Sequence, residues 1–153
     1  MKYDDVIFRL KKDIDKVLEK EVLKAVQEVE SERIDEIVYS VYEPKMYRRR
    51  GMKGGGLGSI RNMIGNVSDG MLTVTNITGP NRVYKTTMPA NANLAELVEY
   101  GSGYKGYIYD YPVPRQVYGR RPFTRATTYR LYKEKQHIDA LRSGLKNIGY
   151  NVI

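Results

Sequence analysis

Leu94-Ala95-Glu96-Leu97-Val98-Glu99-Tyr100-Gly101-Ser102-Gly103 opens the stretch whose reading decides this chain. Leu94 to Tyr100 has helical spacing, and Gly101 stops it, because left-handed residues are common just past a helix end. A Tyr- and Gly-rich segment follows, then Arg121-Pro122-Phe123-Thr124-Arg125-Ala126, then another run with helical spacing. Between the two helical runs, from about Gly101 to Arg121, lies an arm that holds Tyr104, Tyr107, Tyr109, Tyr111 and Tyr118 with Pro112 and Pro114. Tyr107 to Tyr111 has β propensity, so part of the arm could be a hairpin. Compact domains rarely keep a structureless loop of about 20 residues unless it binds something. The pattern predicts a small folded body carrying a long basic, aromatic arm.

Downstream, Thr124 starts a long helix to about Asn147, with Tyr129, Tyr132, Ile138, Leu141, Leu145 and Ile148 as its buried positions. Gly149 marks its end, and Tyr150-Asn151-Val152-Ile153 could add a last strand to a sheet. Upstream, Met71 to Thr78 alternates, with Leu72, Val74, Asn76 and Thr78 facing one way and Met71, Thr73, Thr75 and Ile77 the other. Ser68-Asp69-Gly70 joins it to a strand over Asn62 to Val67. Gly79-Pro80-Asn81 is a turn, and residues 81–93 are ambiguous.

At the amino end, Val6, Ile7, Leu10, Ile14, Val17, Leu18, Val22, Val26 and Val29 recur at three- and four-residue steps. This stripe predicts an amphipathic helix from Tyr3 to about Glu30, with Asp4 and Asp5 suited to its positive end. Ile34 to Tyr42 either continues that helix or forms a strand, and Pro44 ends it in either case. Residues 45–59, with Tyr47-Arg48-Arg49-Arg50-Gly51 and Gly54-Gly55-Gly56-Leu57-Gly58, read as an exposed loop.

The fold class expected is α+β, with two long helices packed against a small antiparallel sheet and a long extended arm. One domain covers 1–153: a helical segment 1–43, a basic Gly-rich loop 44–59, sheet and short helix 60–100, arm 101–121, and terminal helix and strand 122–153. Its 153 residues are enough to bury a core. With no cysteine, there is no disulfide framework, thiolate metal site or thiol nucleophile, which fits a reducing compartment. Met1-Lys2-Tyr3-Asp4-Asp5 lacks the apolar run of a signal peptide, and the apolar runs are too short to span a bilayer.

The net charge of +8 is unevenly placed. Residues 1–43 carry eight basic and twelve acidic residues, a net −4, and the remainder carries 18 and 6, a net +12. Such asymmetry serves nucleic-acid contact or head-to-tail association of like subunits.

Catalytic chemistry finds little support. His137, the one histidine, sits inside the second long helix without further ligands at matched spacing and reads as a surface or interface residue. Glu96 and Glu99 share a helical face, which is too little for paired-carboxylate chemistry. Gly51-Met52-Lys53-Gly54-Gly55-Gly56-Leu57-Gly58 places its lysine before the glycines and lacks the Gly-Lys-Ser/Thr ending of a phosphate loop. No catalytic, cofactor-binding or metal-binding residue is assigned. Arg48, Arg49, Arg50 and Lys53 form one basic cluster; Arg115, Arg120, Arg121, Arg125 and Arg130 form another. With the arm tyrosines they could contact neighbouring subunits or grip DNA phosphates and stack bases. The interface reading is preferred. The rival is a small cytoplasmic protein that binds nucleic acid without sequence preference.

Val98-Glu99-Tyr100-Gly101-Ser102-Gly103, Arg121-Pro122-Phe123 and the closing Ile148-Gly149-Tyr150-Asn151-Val152 resemble the neck and tail-completion proteins of tailed bacteriophages, the head–tail connector or minor capsid components. In that family an aliphatic-Glu-aromatic-Gly-Thr/Ser-Gly motif precedes a variable insertion, and Arg-Pro-Phe opens the last helix. Glu99, Gly101, Gly103, Pro122 and Phe123 occupy the motif positions. The run before Leu57 departs from the family pattern. The resemblance implies a virion subunit without enzymatic activity, assembled in the bacterial host cytoplasm. Its partners are copies of itself in a ring, a hexamer favoured over a dodecamer, and other neck, portal-adaptor and tail proteins, with non-specific DNA contact a further option and no membrane.

Overall fold

The computed structural model describes residues 3–41, 55–79, 93–100 and 121–152. Expectations for the rest of the basic Gly-rich loop, for residues 81–92 and for Gly101 to Arg120 lie outside the described residues. The chain is mixed α+β and mostly helical.

A single helical rod carries the described amino-terminal segment. Helix α1 (Tyr3–Val17) passes through a π-helical turn at Leu18–Val22 into α2 (Leu23–Ile34) and then a second π-helical turn at Asp35–Tyr39. Val17, Val22 and Ile34 at the joints all keep right-handed helical backbone angles, so the rod is uninterrupted. The stretch from Ile34 therefore continues the helix and forms no strand. The turn at Leu18–Val22 is where both the hairpin and the last helix press on the rod, and Leu18 and Val22 are both buried there.

Strands β1 (Met63–Ser68) and β2 (Met71–Asn76) form an antiparallel hairpin in the register Met63↔Asn76 to Ser68↔Met71. Asp69 (φ 52°) and Gly70 (φ 74°) make its two-residue turn. Positive φ at both central residues matches the right-handed twist of the strands. Alternation sends Leu72, Val74 and Asn76 inward, as read from the sequence. Gly65 faces α2 so closely that a Cβ would come within 2.7 Å of the Leu23 methyls. A glycine lets the strand lie against the helix at that point.

Helix α3 (Leu94–Tyr100) begins at Asn93, whose Oδ1 accepts the Ala95 N–H at 2.9 Å. The terminal helix is two helices, α4 (Phe123–Glu134) and α5 (Gln136–Asn147), separated by Lys135 at φ 56°. The break lets α4 pack on α2 while α5 turns onto α1 and the Leu18–Val22 turn. It also re-aims the outer face. Tyr129, Tyr132 and Ile148 are exposed, not buried, whereas Phe123 and Thr127 are buried. Ile138, Leu141 and Leu145 are half-buried.

Helix α5 ends as the glycine suggested. Gly149 has φ 97°, its N–H reaches the Lys146 carbonyl, and the Tyr150 N–H reaches the Leu145 carbonyl, each at 3.0 Å. Tyr150 to Val152 form no strand. Instead the Tyr150 hydroxyl donates to Asp13 Oδ2 at 3.0 Å and ties the tail to α1. Lys16 and Tyr150, both hydrogen-bonded to Asp13, hold its carboxyl below the ordinary range.

Two apolar clusters result. Ile34, Val38, Leu57, Met63, Ala95 and Phe123 form one, joined by Tyr39, Val74 and Val98. Val17, Leu18 and Val22 form the other, covered by side chains from the hairpin and α5. The first gathers residues from all four described segments, so it sets how they meet.

Candidate functional site

Glu99, Pro122 and Phe123 meet at the first cluster. Phe123 is 1% exposed, the largest fully buried side chain among the described residues. Pro122 sits at the N-cap position of α4 and offers no side-chain hydrogen bond. Glu99 supplies the cap from another helix: the Thr124 N–H donates to its Oε2 at 2.8 Å. A carboxylate suits the positive end of a helix, and a charged acceptor strengthens the bond. One residue back, the Arg121 N–H donates to the Val98 carbonyl at 3.0 Å. Val98 and Arg121 are thus held side by side, one on each side of the twenty-residue insertion 101–120.

A polar network lies beside this clamp. Asn76, buried at the end of β2, donates from Nδ2 to Glu30 Oε1 on α2 and to the Leu57 carbonyl, each at 3.0 Å. Its Oδ1 accepts the Thr78 hydroxyl at 2.7 Å and the Thr78 N–H at 3.2 Å. Burial pushes the Glu30 carboxyl above its ordinary range; the Asn76 bond opposes this and the nearby Glu99 charge adds to it. This network was not read from the sequence. Its only signal was the inward parity of Asn76 and Thr78 on the alternating strand.

The Gly55 to Ser59 stretch is part of the same structure and corrects the exposed-loop reading. Leu57 and Ser59 are buried. The Gly58 carbonyl accepts the Ser31 hydroxyl at 2.7 Å, and the Tyr39 hydroxyl accepts the Gly58 N–H at 3.0 Å. The Gly55 and Gly56 carbonyls accept from Asn62 Nδ2 at 2.9 and 3.0 Å. Polar side chains that satisfy the backbone allow this segment to be buried.

Arg130, grouped with the basic cluster in the sequence, is committed elsewhere. It meets Glu32 at 2.8 Å, Glu134 at 3.0 Å and Glu36 at 3.6 Å, joining α4 to α2. Arg121 is half-buried and Arg125 exposed. Arg48, Arg49, Arg50, Lys53, Gly101, Gly103, Tyr104, Tyr107, Tyr109, Tyr111, Arg115, Tyr118 and Arg120 lie outside the described residues.

Two surface features complete the picture. A groove of about 340 Å³ opens at the elbow between α4 and α5, lined by Thr128, Leu131, Tyr132, Lys135, His137 and Ile138. His137 therefore stands in the first turn of α5, half-buried, and its Nδ1 is buried without a hydrogen-bond partner among the described residues. The other feature is the start of α1, where Tyr3 and Phe8 are 78% and 71% exposed. Among the described residues, no group of three or more His, Cys, Asp or Glu side chains could hold a metal ion. No helix among them is long and apolar enough to cross a membrane.

These features define a small α+β protein whose buried motif residues clamp the two ends of an insertion. The chain matches the YomN family over residues 2–147 and belongs to that family, which makes it a phage-related protein. No curated protein and no solved structure matches it.

Proposed function

We propose that this chain is a structural subunit of a phage or phage-derived tail-like particle, completing the tail or joining head to tail within an oligomeric ring. The observation that carries the reading is the clamp. Glu99 and Phe123 fix both ends of the segment 101–120 to one buried point. That segment holds five tyrosines, with Arg115 and Arg120, residue types enriched at protein interfaces. A rigid base under an interface-rich insertion suits a subunit that grips its neighbours. The asymmetric charge suits head-to-tail contacts, which close into rings when the rotation permits. The proposal includes no catalytic step.

The test is to remove the protein from the particle-producing host. Separate heads and tails, rejoined when the protein is restored, support the reading, as does its recovery from purified particles at the joint. A monomer that binds DNA with an affinity falling steeply as salt rises, and that is absent from particles, favours the nucleic-acid alternative and overturns it.

A further inference from the structure

We propose that the first three turns of α1 pair with the same turns of a second copy of this chain, the two helices lying antiparallel with their apolar seams together. The inference goes beyond the particle role above and does not depend on it.

The seam continues one that the fold already buries. Tyr3, Ile7, Leu10, Ile14 and Val17 recur at alternating steps of four and three residues. That is the spacing by which two helices interlock side chains along a shared line. Val17 lies in the second apolar cluster, and Ile14 packs against it. Toward the amino end the seam loses its cover. No residue of α1 before Val17 is buried. Ile7 and Leu10 are half-buried, and Tyr3 is 78% exposed. Phe8 is exposed as well, but it lies about 140° round the helix from Tyr3 and takes no part. An apolar line that runs on past its own core is a face for a partner helix.

Charge beside the seam decides the occupant and its direction. Asp4 and Lys11 follow Tyr3 and Leu10 on one flank, two turns apart. Val6 and Asp13 border the other flank, where Asp13 is already held by Lys16 and Tyr150. Asp5, Arg9 and Lys12 lie further round the helix, away from the seam. In an antiparallel pair each flank meets the same flank of its partner running the other way. Ile7 of one copy then lies beside Leu10 of the other, and Asp4 beside Lys11, twice over by symmetry. A parallel pair would set Asp4 and Lys11 against the flank of Val6 and Asp13, where neither finds an opposite charge twice. Charges beside such a seam set partner choice and orientation. A contact of this kind is isologous and closes at two copies, so it adds a pairing to whatever contact builds a ring.

Charge reversal in the full chain tests this, with association read by sedimentation at rising concentration. The parent should form a reversible dimer. Tyr3→Glu should weaken it about ten-fold, whereas Phe8→Glu should leave it unchanged; both side chains are exposed, so neither change touches the core. Asp4→Lys and Lys11→Asp each set like charges together at two places and should each weaken the dimer about ten-fold. Mixing these two variants should restore the parent's affinity, because every flank contact is then attractive again. A misfolded variant could not regain affinity on mixing. A parent that stays monomeric at millimolar concentration overturns the pairing, as does a mixture that binds no tighter than either variant alone.

Discussion

Glu99 is a carboxylate kept inside the body by what it does for another helix. Its Oε2 takes the Thr124 N–H of α4, where Pro122 offers no side-chain cap. Glu99→Ala removes the cap from that part-buried donor and should cost about 0.5–2 kcal/mol; Glu99→Gln, which keeps an acceptor oxygen, should cost less. Phe123→Ala removes the largest fully buried side chain among the described residues and should cost about 3–5 kcal/mol. Urea midpoints measure all three. The sequence marked Glu99, Pro122 and Phe123 as one pattern but could not show that they meet, because the contact joins residues on opposite sides of the insertion.

Glu30 gives the residue-scale pH prediction. Burial raises its carboxyl above the ordinary glutamate value in the folded chain. Below that ordinary value both folded and unfolded chains hold the proton, and the contribution to stability is fully present. As pH rises through the raised value, the unfolded chain has already released the proton that the folded chain retains, so stability is lost. Glu30→Gln keeps an oxygen for Asn76 and removes the charge. Its melting temperature should exceed the parent's at neutral pH, and the gap should shrink in acid. A constant gap across that range contradicts this assignment.

Elements were legible where periodicity is long and uninterrupted. The first stripe and the alternating β2 announced a helix and a strand, and Ser68-Asp69-Gly70 announced a turn, of which Ser68 proves to end β1. The elbow was not legible, because Glu134-Lys135-Gln136 contains neither glycine nor proline and helical spacing runs through it. Packing decides there: α4 lies on α2 and α5 on α1, and one left-handed residue reconciles the two directions. A left-handed conformation costs a non-glycine residue about 1–2 kcal/mol, so Lys135→Gly should stabilise the chain, and a β-branched Lys135→Val should destabilise it. The Gly55 to Ser59 stretch misled in the opposite sense. Its composition signals a loop, whereas its burial depends on Ser31, Tyr39 and Asn62, which no local pattern reveals. At the α1–α5 crossing, a Cβ on Gly144 would come within 2.4 Å of Val17 Cγ1. Gly144→Ala should therefore cost about 1–3 kcal/mol by overpacking, read as a lowered melting temperature.

For the whole molecule, the proposed role makes the body a base and the insertion the gripping part. Glu99, Phe123 and the Arg121–Val98 bond belong to the base, and they join α3 to the start of α4. Shortening Tyr104 to Tyr118 to a brief linker should leave the base folded, because Glu99, Phe123 and the Arg121–Val98 bond all lie outside the shortened stretch. The direct measurement is the fraction of heads joined to tails in particles assembled with the shortened chain, after its melting temperature has been matched to the parent's. If the insertion grips the neighbouring subunits, the protein folds but heads and tails stay separate, or their joints come apart. A shortened chain that melts like the parent and joins heads to tails with full efficiency would contradict it.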